Sequence, residues 1–266
     1  MIATRFKLIV AYHGASFCGF QKQLKLNTIQ SELQRVLKQL TGEEIAVVPA
    51  GRTDAGVHAL AQLTHFDVKS PKAVERITKQ DIIYKMNCLL PDSILVLDVK
   101  KVSSKFHARK AAEKKEYVYH ILFSPYHNPF IEDLVWRIHK PLDEAAMKKA
   151  AQHLVGMHDF TSFCASDATD PFHTKTLHAI RFSHTKIAPS LSFKHEEYLT
   201  IQFIGSGFLK QMVRNLTGTL VAVGQKKIAP SDVKTILAAK DRTKAYQTAP
   251  AKGLMQVGVQ HAGPTF

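Results

Sequence analysis

The sequence is poor in cysteine, in acidic residues and in long apolar runs. Its three cysteines, Cys18, Cys88 and Cys164, are far apart, which argues against a disulfide framework or a thiolate metal cluster and fits a reducing cytoplasm. No stretch approaches the ~20 apolar residues that a membrane span requires, and the N-terminus carries no apolar signal segment. We therefore expect a cytoplasmic protein with no membrane association.

The shortage of acidic residues leaves a large positive charge. Asp and Glu total 22 against 36 Lys and Arg, so the formal net charge is +14. This charge favours a polyanionic partner, with nucleic acid as the leading candidate. The alternative is a basic enzyme whose charge only maintains solubility.

The 266 residues, 45% of them hydrophobic, are enough for one large domain or two small ones. Apolar periodicity predicts strands alternating with helices in both halves of the chain. The predicted strands cover residues 6–12, 60–68, 94–102, 117–123, 176–184, 197–204 and 254–261. The predicted helices cover residues 29–40, 78–89, 143–155 and 209–223, with a further short helix starting at 230–232. For the first helix, Asn27 and Gln30 have capping-box spacing and Gly42 ends the pattern.

A basic polar stretch at residues 100–105 marks the expected boundary between two units. We predict an N-terminal α+β subdomain at residues 1–105 and a C-terminal α+β subdomain at 106–266. The expected fold class is α+β, with two α/β subdomains of antiparallel or mixed sheets joined around a central basic cleft.

The most informative motif is the run Gly51–Ala59, GRTDAGVHA. Glycines at both ends of a short turn let a substrate come close, so Arg52 and Asp54 could be presented at the mouth of a cleft. Asp in such a turn also commonly caps a backbone N–H, which is the structural alternative.

Two further segments combine basic residues with aromatic or apolar ones. Lys114 and Lys115 precede a strand on which Tyr117 and Tyr119 share a face, an arrangement that suits an extruded base beside a phosphate. The alternative makes both tyrosines core residues. In the helix at 209–223, basic and apolar residues occupy different faces, a pattern also typical of a solvated surface helix.

Taken together, these motifs resemble the tRNA pseudouridine synthase A family over nearly all of the chain. Six blocks carry the resemblance in family order. They are Tyr12-His13-Gly14 with Gly19-Phe20-Gln21, Gly51–Ala59, Phe106-His107-Ala108-Arg109 with Lys115, Tyr117 and Tyr119, His158-Asp159-Phe160, Met212-Val213-Arg214-Asn215, and Ala249-Pro250 with Gly253-Leu254. Three positions depart from the family pattern: Phe20 replaces a Trp, Met255 replaces an aromatic residue, and Glu116 replaces a basic residue.

The resemblance implies the pseudouridine synthase fold and the isomerisation of uridine to pseudouridine in the anticodon stem-loop of tRNA, at tRNA positions 38–40, without cofactor or metal. It makes Asp54 the catalytic carboxylate, acting as nucleophile or as the base that opens a glycal route. Arg214 would pair with Asp54, and Tyr117 would stack on the target base and help remove its C5 proton.

The resemblance also implies substrate contacts outside the catalytic group. Leu254 would pack against the flipped base, and Arg52 would fill the gap that the base leaves or hold the flipped backbone. His58, Arg109 and Lys115 are predicted as further substrate-binding residues. The family is homodimeric, so we expect a homodimer that grips tRNA across both subunits.

Two other functions remain as alternatives. A catalytically silent RNA-binding protein on the same scaffold would need neither Asp54 nor Arg214. A metal-dependent phosphodiesterase would use Asp54 and His58, which are spaced i, i+4. No third ligand lies at a useful spacing and the histidines form no HxxxH pattern, so we expect no metal site.

Overall fold

The computed structural model describes residues 3–78, 80–188, 191–192 and 197–261. The chain packs into two compact units, Met1–Glu113 with Gln256–Phe266 and Lys114–Met255. The predicted division of roles between residues 1–105 and 106–266 stays a prediction. No helix in the described ranges has both the length and the apolar character needed to cross a membrane.

The first unit contains a largely antiparallel sheet with helices packed against it. Its elements are β1 (Thr4–Tyr12), α1 (Ile29–Thr41), β2 (Val48–Pro49), β3 (His58–Val68), α2 (Pro71–Thr78), α3 (Ile82–Leu89), β4 (Ile94–Val102), α4 (Ala108–Ala111) and the larger part of β10 (Leu254–His261). The strand order is β4, β1, β3, β10, and β2 pairs with β3.

The core of the first unit lies between β1, β3 and the helices. Buried residues alternate along β1 as the period-two pattern predicts. Phe6 pairs with Phe66 across β1 and β3, and their rings stack with centroids 5.5 Å apart. The opposite face of β3 is also covered, because Leu63 packs with Ala50 and Ala108. β3 is therefore buried on both faces over its central residues.

Two helix predictions in this unit need correction. The N-cap of α1 is Thr28 rather than Asn27, because the Thr28 side chain accepts from the backbone N–H of Ser31 while the Ser31 hydroxyl bonds back to the Thr28 backbone. Residues 71–78 form α2, which the sequence analysis missed because only two of its residues, Ala73 and Ile77, are buried. The predicted end of α1 is confirmed, since Gly42 adopts the left-handed conformation at φ 77°.

The second unit has a mixed sheet. Its elements are β5 (Ala112–Phe123), β6 (Trp136–Ile138), α5 (Glu144–Gln152), β7 (Gly156–Asp159), β8 (Thr174–Lys186), β9 (Glu197–Gly205), α6 (Met212–Gly224) and α7 (Asp232–Ala239). The order is β5, β9, β8, β7, with antiparallel pairing, and β6 runs parallel to β5. The α+β class with antiparallel and mixed sheets is confirmed.

Helix α6 is the central helix of the second unit. Of its 13 residues only Arg214 is not buried, so the solvated-surface alternative for this segment is wrong. The helix also starts later than predicted, at Met212. Gly218 permits its close packing, since a Cβ there would lie 1.8 Å from the carbonyl oxygen of Gln247.

Candidate active site

Asp54 lies on a tight turn that joins β2 to β3. The backbone N–H of Val57 donates to the Asp54 carbonyl at 3.2 Å, and Gly56 closes the turn in the left-handed region at φ 78°. The neighbours Thr53 and Val57 are buried, Asp54 is half-buried and Arg52 is exposed. A carboxylate is thus presented on a turn whose flanking residues are fixed in the core.

The loop at residues 13–20 holds this turn from one side. The N–H of Phe20 donates to the Thr53 carbonyl at 3.1 Å, and the N–H of Gly56 donates to the Phe17 carbonyl at 3.3 Å. The approach is so close that a Cβ on Gly14 would lie 2.0 Å from the Val57 carbonyl oxygen. Only glycine fits there, which gives a physical reason for the Tyr12-His13-Gly14 block.

Phe20 is part of the core beneath the turn. Its side chain is fully buried, and its ring lies 6.2 Å from that of Tyr12. Phe20 therefore packs under the turn and contributes no exposed aromatic surface.

His58 is buried at the start of β3 and contacts the same loop. Its Nδ1 accepts a hydrogen bond from the Gly14 N–H at 3.0 Å, and its ring lies 4.5 Å from that of His13. His58 thus helps to fix the turn, while its predicted substrate contact stays a prediction. In the part of the chain that the structure describes, no three His, Cys, Asp or Glu residues are grouped as metal ligands would be.

Buried polar side chains that the sequence analysis did not single out hydrogen-bond to the turn and to one another. The hydroxyl groups of Tyr12 and Thr53 are 2.8 Å apart, and the Gln62 amide donates to the Gly51 carbonyl at 2.8 Å. Gln256 donates to the Gln62 side-chain oxygen at 3.3 Å. Burial raises the pKa of Tyr12 to about 12, an effect that hydrogen bonds to Thr53 and Gln62 oppose.

The second unit carries the predicted tyrosine, arginine and leucine. Tyr117 and Tyr119 share the buried face of β5, and the ring of Phe208 meets that of Tyr117 edge-on with centroids 5.1 Å apart. The Tyr119 hydroxyl donates to the Pro250 carbonyl at 2.7 Å. Burial raises the pKa of Tyr119 well above its usual value, with the nearby Arg214 charge opposing the shift. The core interpretation thus holds for Tyr119.

Arg214 lies in the first turn of α6 and is fixed by the segment before β10. Its Nε donates to the Ala249 carbonyl at 2.8 Å, while the Ala249 N–H donates to the Arg214 carbonyl at 3.1 Å. The adjacent Asn215 anchors the same segment, because its side-chain oxygen accepts from Arg242 and Thr248. The guanidinium is therefore oriented by the backbone before any substrate binds.

Leu254 is buried and directly follows Gly253. A Cβ on Gly253 would lie 2.7 Å from the Tyr119 ring, so glycine is needed for β10 to begin this close to β5. Within the second unit, the structure thus brings Arg214, Tyr119 and the 249–254 segment together, with Tyr117 next to Tyr119 on the same strand face.

The remaining predicted residues differ in their exposure and in their hydrogen-bond partners. Arg109 is exposed on α4, a helix that packs through Ala108 against Ala50, just before the Asp54 turn. His107 has a structural role, since its side chain accepts from the Arg109 N–H as the N-cap of α4. Lys115 is half-buried, and Glu116 accepts a hydrogen bond from Gln202 on β9.

A surface cavity of about 350 Å³ lies elsewhere in the second unit and is lined by none of the predicted site residues. His153 and Lys240 line it at the C-terminal ends of α5 and α7, and Lys234 lines it from the first turn of α7. A lysine at a helix C-terminus such as Lys240 offsets the negative helix end, and Lys240 also pairs with Asp159 at 3.1 Å. These two contacts give Lys240 a structural role.

Comparison with known proteins identifies relatives over almost the whole chain. A family model described as tRNA pseudouridine synthase matches residues 150–261. A protein named tRNA pseudouridine synthase A from Maridesulfovibrio salexigens is 40% identical over 258 residues, covering 97% of this chain and 90% of its own. Proteins of the same name from Shouchella clausii and Brevibacillus brevis are 40% and 42% identical, covering 99% and 94% of this chain and 95% and 96% of their own.

Proposed function

The chain belongs to the tRNA pseudouridine synthase A family, and from that premise we propose that it isomerises uridine to pseudouridine in the anticodon stem-loop of tRNAs, with Asp54 as the catalytic carboxylate. The isomerase activity on tRNA uridine and the pseudouridine synthase fold follow from full-length relatives of about 40% identity. The observation that carries the role of Asp54 is its position on a turn fixed at both ends while its own side chain remains half-buried.

The main chemical requirement of the reaction is one well-placed carboxylate. The bond from the ribose C1′ to N1 of the base breaks, the base turns, and a bond forms from C1′ to C5. The C5 proton then leaves, and N1 takes up a proton in its place. Asp54 acts on the target nucleotide either as a nucleophile or as the base of a glycal route. Neither route consumes a cofactor, because the product is an isomer of the substrate.

Arg214 is the proposed partner of the catalytic carboxylate, on the strength of the family relationship. A cation at ~4 Å attracts a carboxylate by about 4 kcal/mol at an effective dielectric constant of ~20, before desolvation. Arg214 is suited to this role because its Nε is already bonded to the Ala249 carbonyl. This bond fixes the plane of the guanidinium before a substrate is bound.

The other predicted residues receive roles around the flipped nucleotide. Tyr117 stacks on the target base and assists loss of the C5 proton, and Leu254 packs against the base from another side. Arg52, exposed beside Asp54, fills the gap in the stem or holds the flipped backbone. His58, Arg109 and Lys115 complete the substrate contacts.

We further propose that the protein acts in the cytoplasm as a homodimer that binds the anticodon stem-loop across both subunits. The net charge of +14 supports binding to the tRNA backbone. The homodimer rests on the family relationship.

Position-resolved mapping of pseudouridine in unmodified tRNA transcripts tests the proposal. The wild type should introduce pseudouridine at tRNA positions 38–40, and Asp54→Asn, which keeps the side-chain shape, should introduce none while its tRNA affinity stays within several-fold. Product at other positions alone would contradict the anticodon assignment. Binding without any product from the folded wild type would favour the silent RNA-binding alternative.

A further inference from the structure

The Asp54 turn rests on a chain of buried polar side chains, here called the Gln62 network: Tyr12, Thr53, Gln62 and Gln256. It joins β1, the turn, β3 and β10 within the first unit. No role in the proposed chemistry requires its members to touch the substrate.

The network forms hydrogen bonds with the turn at two points, one on each side of Arg52. Before Arg52, the Gln62 amide nitrogen donates to the Gly51 carbonyl at 2.8 Å. After Arg52, the hydroxyl of Thr53 lies 2.8 Å from that of Tyr12. Gln62 also opposes the rise in the pKa of the Tyr12 hydroxyl, so the same amide acts near both points. Displacing either contact would change the direction in which the next residue, Asp54, projects.

Gln256 orients the Gln62 amide from the opposite side. Its nitrogen donates to the Gln62 oxygen at 3.3 Å, which leaves the Gln62 nitrogen directed at Gly51. Gln256 is fully buried, and its own side-chain oxygen has no hydrogen-bond partner among the described residues.

An incompletely paired amide in a core is costly for stability, and an apolar side chain of similar shape would remove that cost. The unpaired oxygen of Gln256 therefore gives no advantage for folding that an apolar side chain would lack. The advantage of Gln62 and Gln256 is that they fix the conformation of the turn, because a buried hydrogen bond restricts geometry more narrowly than apolar packing does.

We infer that Tyr12, Gln62 and Gln256 are positioning residues that hold the Gly51–Asp54 turn in its reactive geometry. The inference rests on the proposed catalytic role of Asp54. It predicts that loss of the network slows the chemical step and leaves tRNA binding and folding largely intact.

The test compares Tyr12→Phe and Gln62→Met with Thr64→Val by single-turnover and steady-state kinetics. Both positioning variants keep the side-chain volume close to the original. Thr64→Val is the matched control, because Thr64 is a buried residue of the same strand whose hydroxyl bonds to the Leu8 carbonyl, away from the turn.

The expected result is a fall in kcat of at least about tenfold in both positioning variants, since small misplacements of a reacting group have large kinetic effects. KM and the affinity for tRNA should stay close to wild type. Tm should fall modestly in Tyr12→Phe and Gln62→Met, because Thr53 and the Gly51 carbonyl each lose a hydrogen-bond partner. Gln256→Met should keep Tm close to wild type, because it removes one unpaired oxygen and leaves the Gln62 oxygen unpaired instead. Thr64→Val should keep wild-type kcat. If Gln62→Met does not fold, the kcat of Tyr12→Phe tests the inference, because this variant removes only the hydroxyl and keeps the buried aromatic ring.

A double-mutant cycle of Tyr12→Phe and Thr53→Val provides the second readout. If the two hydroxyl groups act through their shared bond, the losses in kcat will not add. The inference is overturned if Tyr12→Phe and Gln62→Met keep kcat within twofold of wild type, or if Thr64→Val loses as much. Failure of the proposed function would look different, because Asp54→Asn would then retain turnover.

Discussion

The burial of His65 leads to a testable prediction about the stability of the fold at acidic pH. It is almost fully buried on β3, with 3% of its surface exposed, and its Nδ1 accepts a hydrogen bond from the Ala108 N–H at 3.2 Å. Burial lowers the pKa of His65 from 6.5 to about 4, and the positive charges of Arg5 and His107 act in the same direction, while Asp67 opposes them. His65 is therefore neutral in the folded protein at neutral pH.

The sign and size of the effect follow from linkage. The stabilisation is fully present above pH 6.5, where both states are neutral, and is lost as the pH falls towards 4, because the unfolded chain binds the proton first. Between pH 7.5 and pH 5, a shift from 6.5 to about 4 lowers the free energy of unfolding by about 2 kcal/mol.

Urea unfolding of the wild type and His65→Gln at pH 7.5 and pH 5 measures this contribution. Glutamine keeps an acceptor for the Ala108 N–H but does not titrate, so all other groups cancel in the comparison. The wild type should lose about 2 kcal/mol more than His65→Gln between the two pH values. Equal losses would refute the assignment of a neutral buried His65.

Two further predictions concern packing and RNA binding. In a urea titration, Gly218→Ala should lower the free energy of unfolding by about 2 kcal/mol or more, because its Cβ would lie 1.8 Å from the Gln247 carbonyl oxygen. Gly207→Ala is the control and should be nearly neutral, because its Cβ would meet only a lysine side chain at 3.9 Å. Removing the charges of Lys114 and Lys115 should weaken tRNA binding and reduce the slope of log K against log salt by about 2 if each contacts a phosphate. An unchanged slope would exclude that contact.

Short-range patterns predicted most of the local structure. The alternation of apolar residues along β1 and the glycine that ends α1 were confirmed because each depends on neighbours in sequence. The cap of α1 was wrong by one residue, since Thr28 and Ser31 satisfy the same spacing rule as Asn27 and Gln30.

Long-range contacts could not be predicted in the same way. Gln62 and Gln256 are 194 positions apart, and a glutamine in a strand gives no local sign that it will be buried. Likewise, the separate basic and apolar faces of the helix predicted at 209–223 left a solvated surface helix as an alternative. The structure buries every residue of α6 except Arg214, with Gly218 packed against Gln247 and Gly224 against Met147. The Asp54 turn was found because glycines, an arginine and an acid occur together in nine residues.

The measurement that tests the central claim most directly is release of tritium from C5 of uridine in labelled tRNA, with wild type and Asp54→Ala compared in the presence of a chelator. Joining C1′ to C5 must expel that hydrogen, so the account predicts release by the wild type and none by Asp54→Ala. Equal release by Asp54→Ala, or loss of wild-type release on addition of the chelator, would contradict metal-free isomerisation through Asp54.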